Sequence, residues 1–369
     1  MKHFDLFSGY GGFTLALEKI YETNITLSRN RSTRPEHGGS SQSLLQGGSM
    51  PTTQEPPFAT IGFSEIDKYA SAVLKYHWPN TKNYGDITKI NWSEVPDFDL
   101  LTGGSPCQDL SIAGKRAGLE GARSGLFYEY MRAVKEKRPK YFIWENVKGA
   151  LSSNKGFDFG SVLNEMAEAG YSLWWQVLNA KDFGVPQNRE RIFVVGFRDG
   201  SPREIFFERE SNGENNLQYI GSTKDIDRVG DGKNLSRNAR EGYRIYKESG
   251  ISPALRSQLG GDSKGSAIVQ LNNPTHSNNR LYSEEGISPA LNTAQGGNRQ
   301  PKIPTNSRIR RLTPTECERL MGLPDGWTSK GIIDGKEVEI SDSQRYKLCG
   351  NGVVVNVVEE IIKELIIGS

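Results

Sequence analysis

Over residues 1–198, short apolar runs alternate with stretches of helical period, and this alternation constrains the fold more than any other feature. Phe4-Asp5-Leu6-Phe7 reads as a buried strand, and Ser8-Gly9-Tyr10-Gly11-Gly12 as a glycine loop that opens a helix over Phe13 to Ile20. Strands are predicted over Phe58 to Phe63, Phe98 to Thr102, Tyr141 to Trp144, Leu173 to Leu178 and Arg191 to Phe197. Helices are predicted between them over Asp67 to Trp78, Leu126 to Lys137 and Val162 to Ala169. Apolar strands separated by helices specify an α/β fold with a mostly parallel, Rossmann-like sheet covered on both faces. Functional loops are then expected at the carboxyl ends of the strands.

Two segments depart from this pattern. Residues 22–57 are Ser, Thr, Gly, Gln, Asn and Pro with hardly an aromatic, and read as a disordered surface insert. After Arg198 the alternation stops, and residues 199–307 read as a second, loop-rich domain. Helical patterning returns at Thr313 to Met321, with Thr313 as cap and Pro314 in the first turn, and at Val354 to Ile366, so 308–369 is expected to rejoin the first domain. The hydrophobic fraction of 35% and mean hydropathy of −0.58 fit a normal core with long polar segments outside it. Cys107, Cys317 and Cys349 are too few and too scattered for a disulfide framework, and without a Cys-x-x-Cys pair no metal is expected. No apolar leader opens the chain, and charges interrupt the apolar tail, so no membrane segment and a cytoplasmic location are expected.

Taken alone, the glycine loop serves a dinucleotide, S-adenosylmethionine or tight packing equally well. Glu65, after the second strand, suits ribose hydroxyls in either cofactor. Cys107 is either a small buried hydrophobe or a nucleophile, and its place in Gly103-Gly104-Ser105-Pro106-Cys107-Gln108, just past a buried strand, favours function. Three further strings follow in order: Glu145-Asn146-Val147 after the next strand, Gln187-Asn188-Arg189-Glu190-Arg191 before a later one, and Gly350-Asn351-Gly352-Val353 near the end.

In these strings the sequence resembles the DNA (cytosine-5) methyltransferases over almost the whole chain outside the insert. Phe7-Ser8-Gly9-Tyr10-Gly11-Gly12 resembles the first cofactor motif, Ser105-Pro106-Cys107-Gln108 the nucleophile loop and Glu145-Asn146-Val147 the acid motif. Arg189-Glu190-Arg191, Arg310 to Cys317 and Gly350-Asn351 match later blocks. The resemblance implies a methyltransferase sheet with a small target-recognition domain. It implies Cys107 as nucleophile, Glu145 as acid, and Arg189 and Arg191 as supporting cations. It implies S-adenosylmethionine held by Phe7, Gly9, Gly12, Glu65, Ile66, Asp86, Ile87, Pro106, Leu126, Asn351 and Val353. The insert, Leu110 and Ala113 depart from the family's usual pattern.

The net charge of +2 conceals an asymmetry. Residues 219–311 hold 15 Lys and Arg against 8 Asp and Glu, a local +7 that leaves −5 for the rest. A basic, Gly- and Asn-rich domain beside such a site fits double-stranded DNA as partner. Within it Gly-Ile-Ser-Pro-Ala-Leu occurs at 250–255 and at 286–291, an offset of 36 residues, each copy preceded by an Arg (Arg244, Arg280) and followed by a glycine pair (Gly260-Gly261, Gly296-Gly297). Each copy is expected to present its Arg and glycine pair to the major groove; alternatively one copy reads and the other is a relic. The expected enzyme is a monomer in a bacterial or phage-infected cell, near the nucleoid. It would protect DNA in a restriction and modification system or on a mobile element, with any restriction endonuclease acting separately. The alternatives are a tRNA cytosine-5 methyltransferase, a nicotinamide-dependent oxidoreductase and a non-catalytic DNA-binding protein.

Overall fold

The computed structural model describes residues 1–32, 58–106, 125–200, 280, 282, 286–293, 301–305 and 308–367. Its centre is a seven-stranded sheet. In chain order the first strands and helices are β1 (Lys2–Leu6), α1 (Gly12–Ser32), β2 (Ala59–Ser64), α2 (Lys68–His77), β3 (Lys82–Asn83), β4 (Leu100–Gly103) and α3 (Gly125–Lys137). They continue with β5 (Tyr141–Val147), α4 (Phe157–Glu168), β6 (Ser172–Asn179), β7 (Gln187–Asn188) and β8 (Glu190–Phe197). The spatial order is β3-β2-β1-β4-β5-β8-β6. Only β8 in this sheet runs antiparallel to its neighbours β5 and β6.

Burial on both faces explains why the strands read as continuous apolar runs. Along β5, Tyr141 and Ile143 enter one core with Phe13, Leu17 and Ile361, while Phe142 and Trp144 enter a second with Tyr130, Met131 and Met166. Period-two alternation thus divides one strand between two cores.

Two predicted boundaries move. α1 runs on past Ile20 to Ser32, into the stretch read as an irregular insert. No Gly or Pro occurs between Phe13 and Arg34, so nothing interrupts a helix once its first turns are docked. β5 continues through Glu145, Asn146 and Val147 because β8 pairs with all three, so the acid string ends the strand instead of following it. The remainder of the insert and most of 199–307 lie outside the described residues.

The carboxyl-terminal part begins with β9 (Ser288–Pro289), which pairs in parallel with β7, and a hairpin of β10 (Lys302–Thr305) and β11 (Arg308–Arg311). α5 (Pro314–Leu320) starts with the Thr313 and Glu316 capping box, with Pro314 in its first turn. The sequence reading did not anticipate the hairpin of β12 (Lys330–Ile333) and β13 (Lys336–Glu339). Asp334 and Gly335 turn it with φ of 52° and 74°, the two left-handed residues of a type I′ turn. α6 (Asp342–Asn351) then leads to α7 (Val355–Ile367), whose Val358, Ile361 and Ile362 join the core of α1.

β1 also carries a buried polar chain. His3 and Asp5 are both fully buried, and Thr102 Oγ1 lies between them, 2.7 Å from His3 Nε2 and donating to Asp5 Oδ1 at 2.9 Å. His3 Nδ1 lies 2.8 Å from Thr60 Oγ1, which in turn donates to Thr14 Oγ1 at 3.4 Å. Burial raises the Asp5 carboxyl from 3.8 to about 8 and lowers the His3 imidazole from 6.5 to about 3, so both are neutral at pH 7.

A pH dependence of stability follows. Between pH 3.8 and 6.5 the folded state keeps the Asp5 proton that the unfolded chain has lost, while the unfolded chain holds a His3 proton that the folded state refuses, so the two slopes oppose. Between pH 6.5 and 8 only Asp5 acts, and its contribution falls with rising pH by up to about 1.4 kcal/mol per unit. Urea unfolding across pH 6.5 to 8 should therefore show a declining midpoint in the native protein and a flatter one in Asp5→Asn. Equal slopes would mean that Asp5 is ionised in the fold.

Candidate active site

The carboxyl ends of β1, β2, β4 and β5 open on a cavity of about 540 Å³. The glycine loop forms one wall. Phe7, Gly9 and Gly11 all have left-handed φ, of 53°, 54° and 83°, and this turns the chain from strand into helix within five residues of Leu6. Gly9 N donates to Glu65 Oε2 at 2.8 Å, and Asp67 N donates to Oε1 at 2.8 Å, so two backbone bonds fix the carboxylate at the end of β2. Burial raises the Glu65 pKa against those two bonds. Next to it Ile66 is 76% exposed, the one large hydrophobic in that state among the described residues.

The opposite wall is the end of β5. Glu145 accepts from Arg191 Nε at 3.0 Å, in a pair of which less than a fifth of either side chain is exposed. Burial pushes the Glu145 carboxyl above its ordinary value, and Arg191, then Arg189, pull it back only in part. Gly104 lets the carboxylate approach closely, since a Cβ there would lie 2.7 Å from Glu145 Oε2. Asn146, buried, donates from Nδ2 to Ser105 O at 2.9 Å, and Trp144 Nε1 donates to Ser105 Oγ at 3.1 Å. Strand β5 therefore fixes the chain up to Pro106, which lines the cavity. Cys107 lies outside the described residues.

Phe7, Gly9, Glu65, Ile66, Asp86, Ile87, Pro106, Leu126 and Asn351 all line this cavity with Glu145, Arg189 and Arg191. The Asp86 carboxylate caps the turn at Ile87, accepting from Thr88 N at 3.0 Å and Thr88 Oγ1 at 2.8 Å, which lowers its pKa. Gly12 and Val353 do not line the cavity. A Cβ on Gly12 would lie 2.9 Å from Val353 Cγ1, so the two pack on each other, and Val353 O accepts from the buried Tyr10 hydroxyl. The pair closes α1 onto the carboxyl-terminal chain.

Arg189 is bound differently from Arg191. Its side chain is buried, Nη1 donates to Leu291 O at 3.1 Å, and Nη2 donates to Gly350 O at 3.0 Å and Gly352 O at 2.7 Å. Burial and Arg191 lower its pKa to about 10, which leaves it charged at neutral pH. Arg191 holds the acid, whereas Arg189 holds backbone. Within the second hexapeptide copy Ile287 and Leu291 are buried, and Ser288 N donates to Pro186 O at 2.8 Å. That stretch is therefore an anchor on the catalytic domain, while Arg280 is exposed. Arg244, Gly260, Gly261, Gly296 and Gly297 lie outside the described residues.

Sequence reasoning missed Gln187, fully buried under the anchor, and the cavity-lining pair Lys347 and Asp67, which joins α6 to the cap of α2. Gln187 stood in the Gln187-to-Arg191 string without a role of its own, and a Lys–Asp pair distant in sequence looks like ordinary surface residues.

Sheet order, one reversed strand, glycine loop and carboxylate after β2 define an α/β methyltransferase domain, and solved methyltransferases share the fold. S. pombe Dnmt2 methyltransferase matches 100% of this chain and 98% of its own with TM-score 0.59 at 16% identity. A putative DNA modification methyltransferase encoded within an E. coli prophage matches 99% and 98% with TM-score 0.57 at 18% identity. The family of C-5 cytosine-specific DNA methylases matches residues 1–367, and this chain belongs to it. It is a DNA cytosine-5 methyltransferase. The type II methyltransferase M.HhaI of Haemophilus parahaemolyticus is 33% identical over 98% of this chain and 93% of that protein. The orphan methyltransferase M.SPRI of Bacillus phage SPR is 30% identical over 84% of this chain and 92% of that protein.

Two glycines test the packing of the site. Gly350 has no left-handed φ, but a Cβ there would lie 2.3 Å from Asn292 O, whereas Gly85 has a φ of 72° and open space around it. Gly350→Ala should cost about 2 kcal/mol or more, and Gly85→Ala about 1 kcal/mol. Chemical denaturation of both variants checks the order, and a larger loss in Gly85→Ala would deny the close contact of α6 with the anchor.

Proposed function

We propose that the protein transfers a methyl group from S-adenosylmethionine to carbon 5 of cytosine in a specific double-stranded DNA sequence, through a Cys107 adduct on a base flipped from the helix. The observation that carries this reading is Glu145. A carboxyl raised by burial, held by Arg191 and facing a cavity that begins at Pro106 is a proton donor poised beside the nucleophile loop.

The cavity fits the cofactor. Gly9 and Gly85 leave open space where a Cβ would stand, exposed Ile66 offers an apolar face to a flat ring, and Glu65 retains lone pairs for two hydroxyls. When bound, S-adenosylmethionine supplies a methyl electrophile on its sulfonium. Phe7, Gly9, Glu65, Ile66, Asp86, Ile87, Pro106, Leu126 and Asn351 would hold it.

Cytosine carbon 5 is a weak nucleophile. The Cys107 thiolate forms a bond to carbon 6, the displaced ring electrons reach nitrogen 3, and the Glu145 proton is delivered there, leaving an enamine nucleophilic at carbon 5. After methylation nitrogen 3 returns its proton to Glu145, solvent water takes the carbon 5 proton, and the electron pair of that C–H bond expels the thiolate from carbon 6 and restores the aromatic ring. Arg191 keeps the carboxyl oriented throughout. A flipped base is required because neither Cys107 nor Glu145 can reach a stacked one.

The basic 219–311 segment supplies phosphate contacts. Exposed Arg280 and its counterpart Arg244, with the glycine pairs 260–261 and 296–297, are the base-reading candidates. Names of relatives that include type II and orphan methyltransferases support a role in restriction and modification or on a mobile element, in the cytoplasm. The enzyme acts as a monomer, any endonuclease separately. Among the described residues no helix is long and apolar enough to cross a membrane, and no group of three or more His, Cys, Asp and Glu is arranged for a metal.

Duplex DNA carrying 5-fluorocytosine at the target, mapped by sequencing methylated cytosines in an expressing host, should trap a covalent adduct in the presence of cofactor. Trapping that persists in Cys107→Ala would remove the nucleophile assignment. Glu145→Gln should slow trapping by about 10²- to 10⁴-fold, as loss of a general acid does. Methyl transfer to tRNA but not to duplex DNA would overturn the substrate. Arg244→Ala and Arg280→Ala should each lower methylation on at least one target sequence, and unchanged rates in both would exclude them as readers.

A further inference from the structure

Gln187 and Arg189 lie two residues apart beside β8, and both side chains are buried. Gln187 Oε1 accepts from Leu291 N at 3.3 Å, and its Nε2 donates to Leu320 O at 2.9 Å. Arg189 grips the same Leu291 by its carbonyl, yet its other nitrogen reaches across to Gly350 O and Gly352 O, the carbonyls on either side of Asn351. Asn351 lines the cavity. Gly350 also stands directly against the backbone of Asn292 and Thr293, where a Cβ would be 2.3 Å from one and 2.6 Å from the other.

One planar cation thus holds a segment of the recognition domain and a loop of the cofactor cavity at once. A guanidinium is rigid, so its two ends cannot follow two carbonyls independently, and a shift of the 350–352 loop moves the acceptor geometry at Leu291. Its burial raises the stakes, because a displaced carbonyl leaves an uncompensated N–H away from water. Nothing in the chemistry of the acid requires this arrangement. The ion pair to Glu145 among the described residues comes from Arg191.

We propose that Arg189 is a positioning residue that couples seating of residues 286–293 to the Asn351 loop, so that a filled cofactor cavity tightens the hold on the recognition segment and a seated segment tightens cofactor binding. The reciprocity is thermodynamic. The inference rests on reading the cavity as the S-adenosylmethionine site.

Hydrogen exchange of the full chain, read by mass spectrometry on peptides spanning 286–293, tests it with and without saturating S-adenosylhomocysteine. The Ser288 and Leu291 amides are both hydrogen-bonded to the catalytic domain, so their exchange reports unseating. In the native protein the ligand should slow exchange by about 5-fold or more, the lower end of ordinary coupling between sites. In Arg189→Lys, saturated as judged by calorimetry, the ratio should collapse towards one, and Arg189→Gln serves should the lysine variant not fold. Gln187→Met separates anchoring from coupling: exchange should accelerate in both states with the ratio retained. Ligand binding by calorimetry without slower exchange in the native protein, or a ratio retained in either Arg189 variant, overturns the coupling. Absence of ligand binding overturns the cavity reading itself.

Discussion

A buried guanidinium obliges the chain to bring acceptors to it, and Arg189 determines how three distant segments meet. Its carbonyl partners come from Leu291 and from Gly350 and Gly352, so the 286–293 stretch and the end of α6 are drawn onto one segment beside β8. Leaving any of those donors unpaired would cost about 1–3 kcal/mol, more for a charged group. The glycines follow from the same requirement. Gly350 permits backbone contact with Asn292, and Gly352 fits beneath Tyr10, where a Cβ would lie 2.0 Å from the ring.

Burial raises the pKa of all three acidic groups of the sheet ends, against different partners. Asp5 has hydroxyl partners and no cation, so desolvation prevails and the group is neutral. Glu65 has two backbone N–H donors that favour its charged form, and remains an acceptor suited to hydroxyls. Glu145 has two arginines, yet its burial still outweighs them.

Much of the architecture was legible because apolar strands buried on both faces leave long uninterrupted runs, and Phe4, Phe142 and Val194 belong to such runs. Most of the cavity was legible for a similar reason: Gly9, Glu65, Pro106 and Asn351 sit just beyond strand ends or at a helix end, where sequence order translates directly into position. What sequence order hides is contact between segments distant in the chain. Gly12 and Val353 belong to cofactor-like strings, but their 341-residue separation hides the fact that they pack on each other. β5 reaches Val147 only because β8 pairs with it. The Asp334-Gly335 turn, by contrast, stood in plain view between Gly331-Ile332-Ile333 and Lys336-Glu337-Val338.

The hexapeptide repeat acquires a different meaning once its second copy is seen in place. Sequence alone groups the Arg, the hexapeptide and the glycine pair into one reading unit. The structure separates them, since Ile287 and Leu291 are buried against the catalytic domain while Arg280, six residues before Gly286, is exposed. A hexapeptide whose contacts are backbone bonds and two aliphatic side chains has no base-reading chemistry of its own. The second copy therefore serves as an anchor.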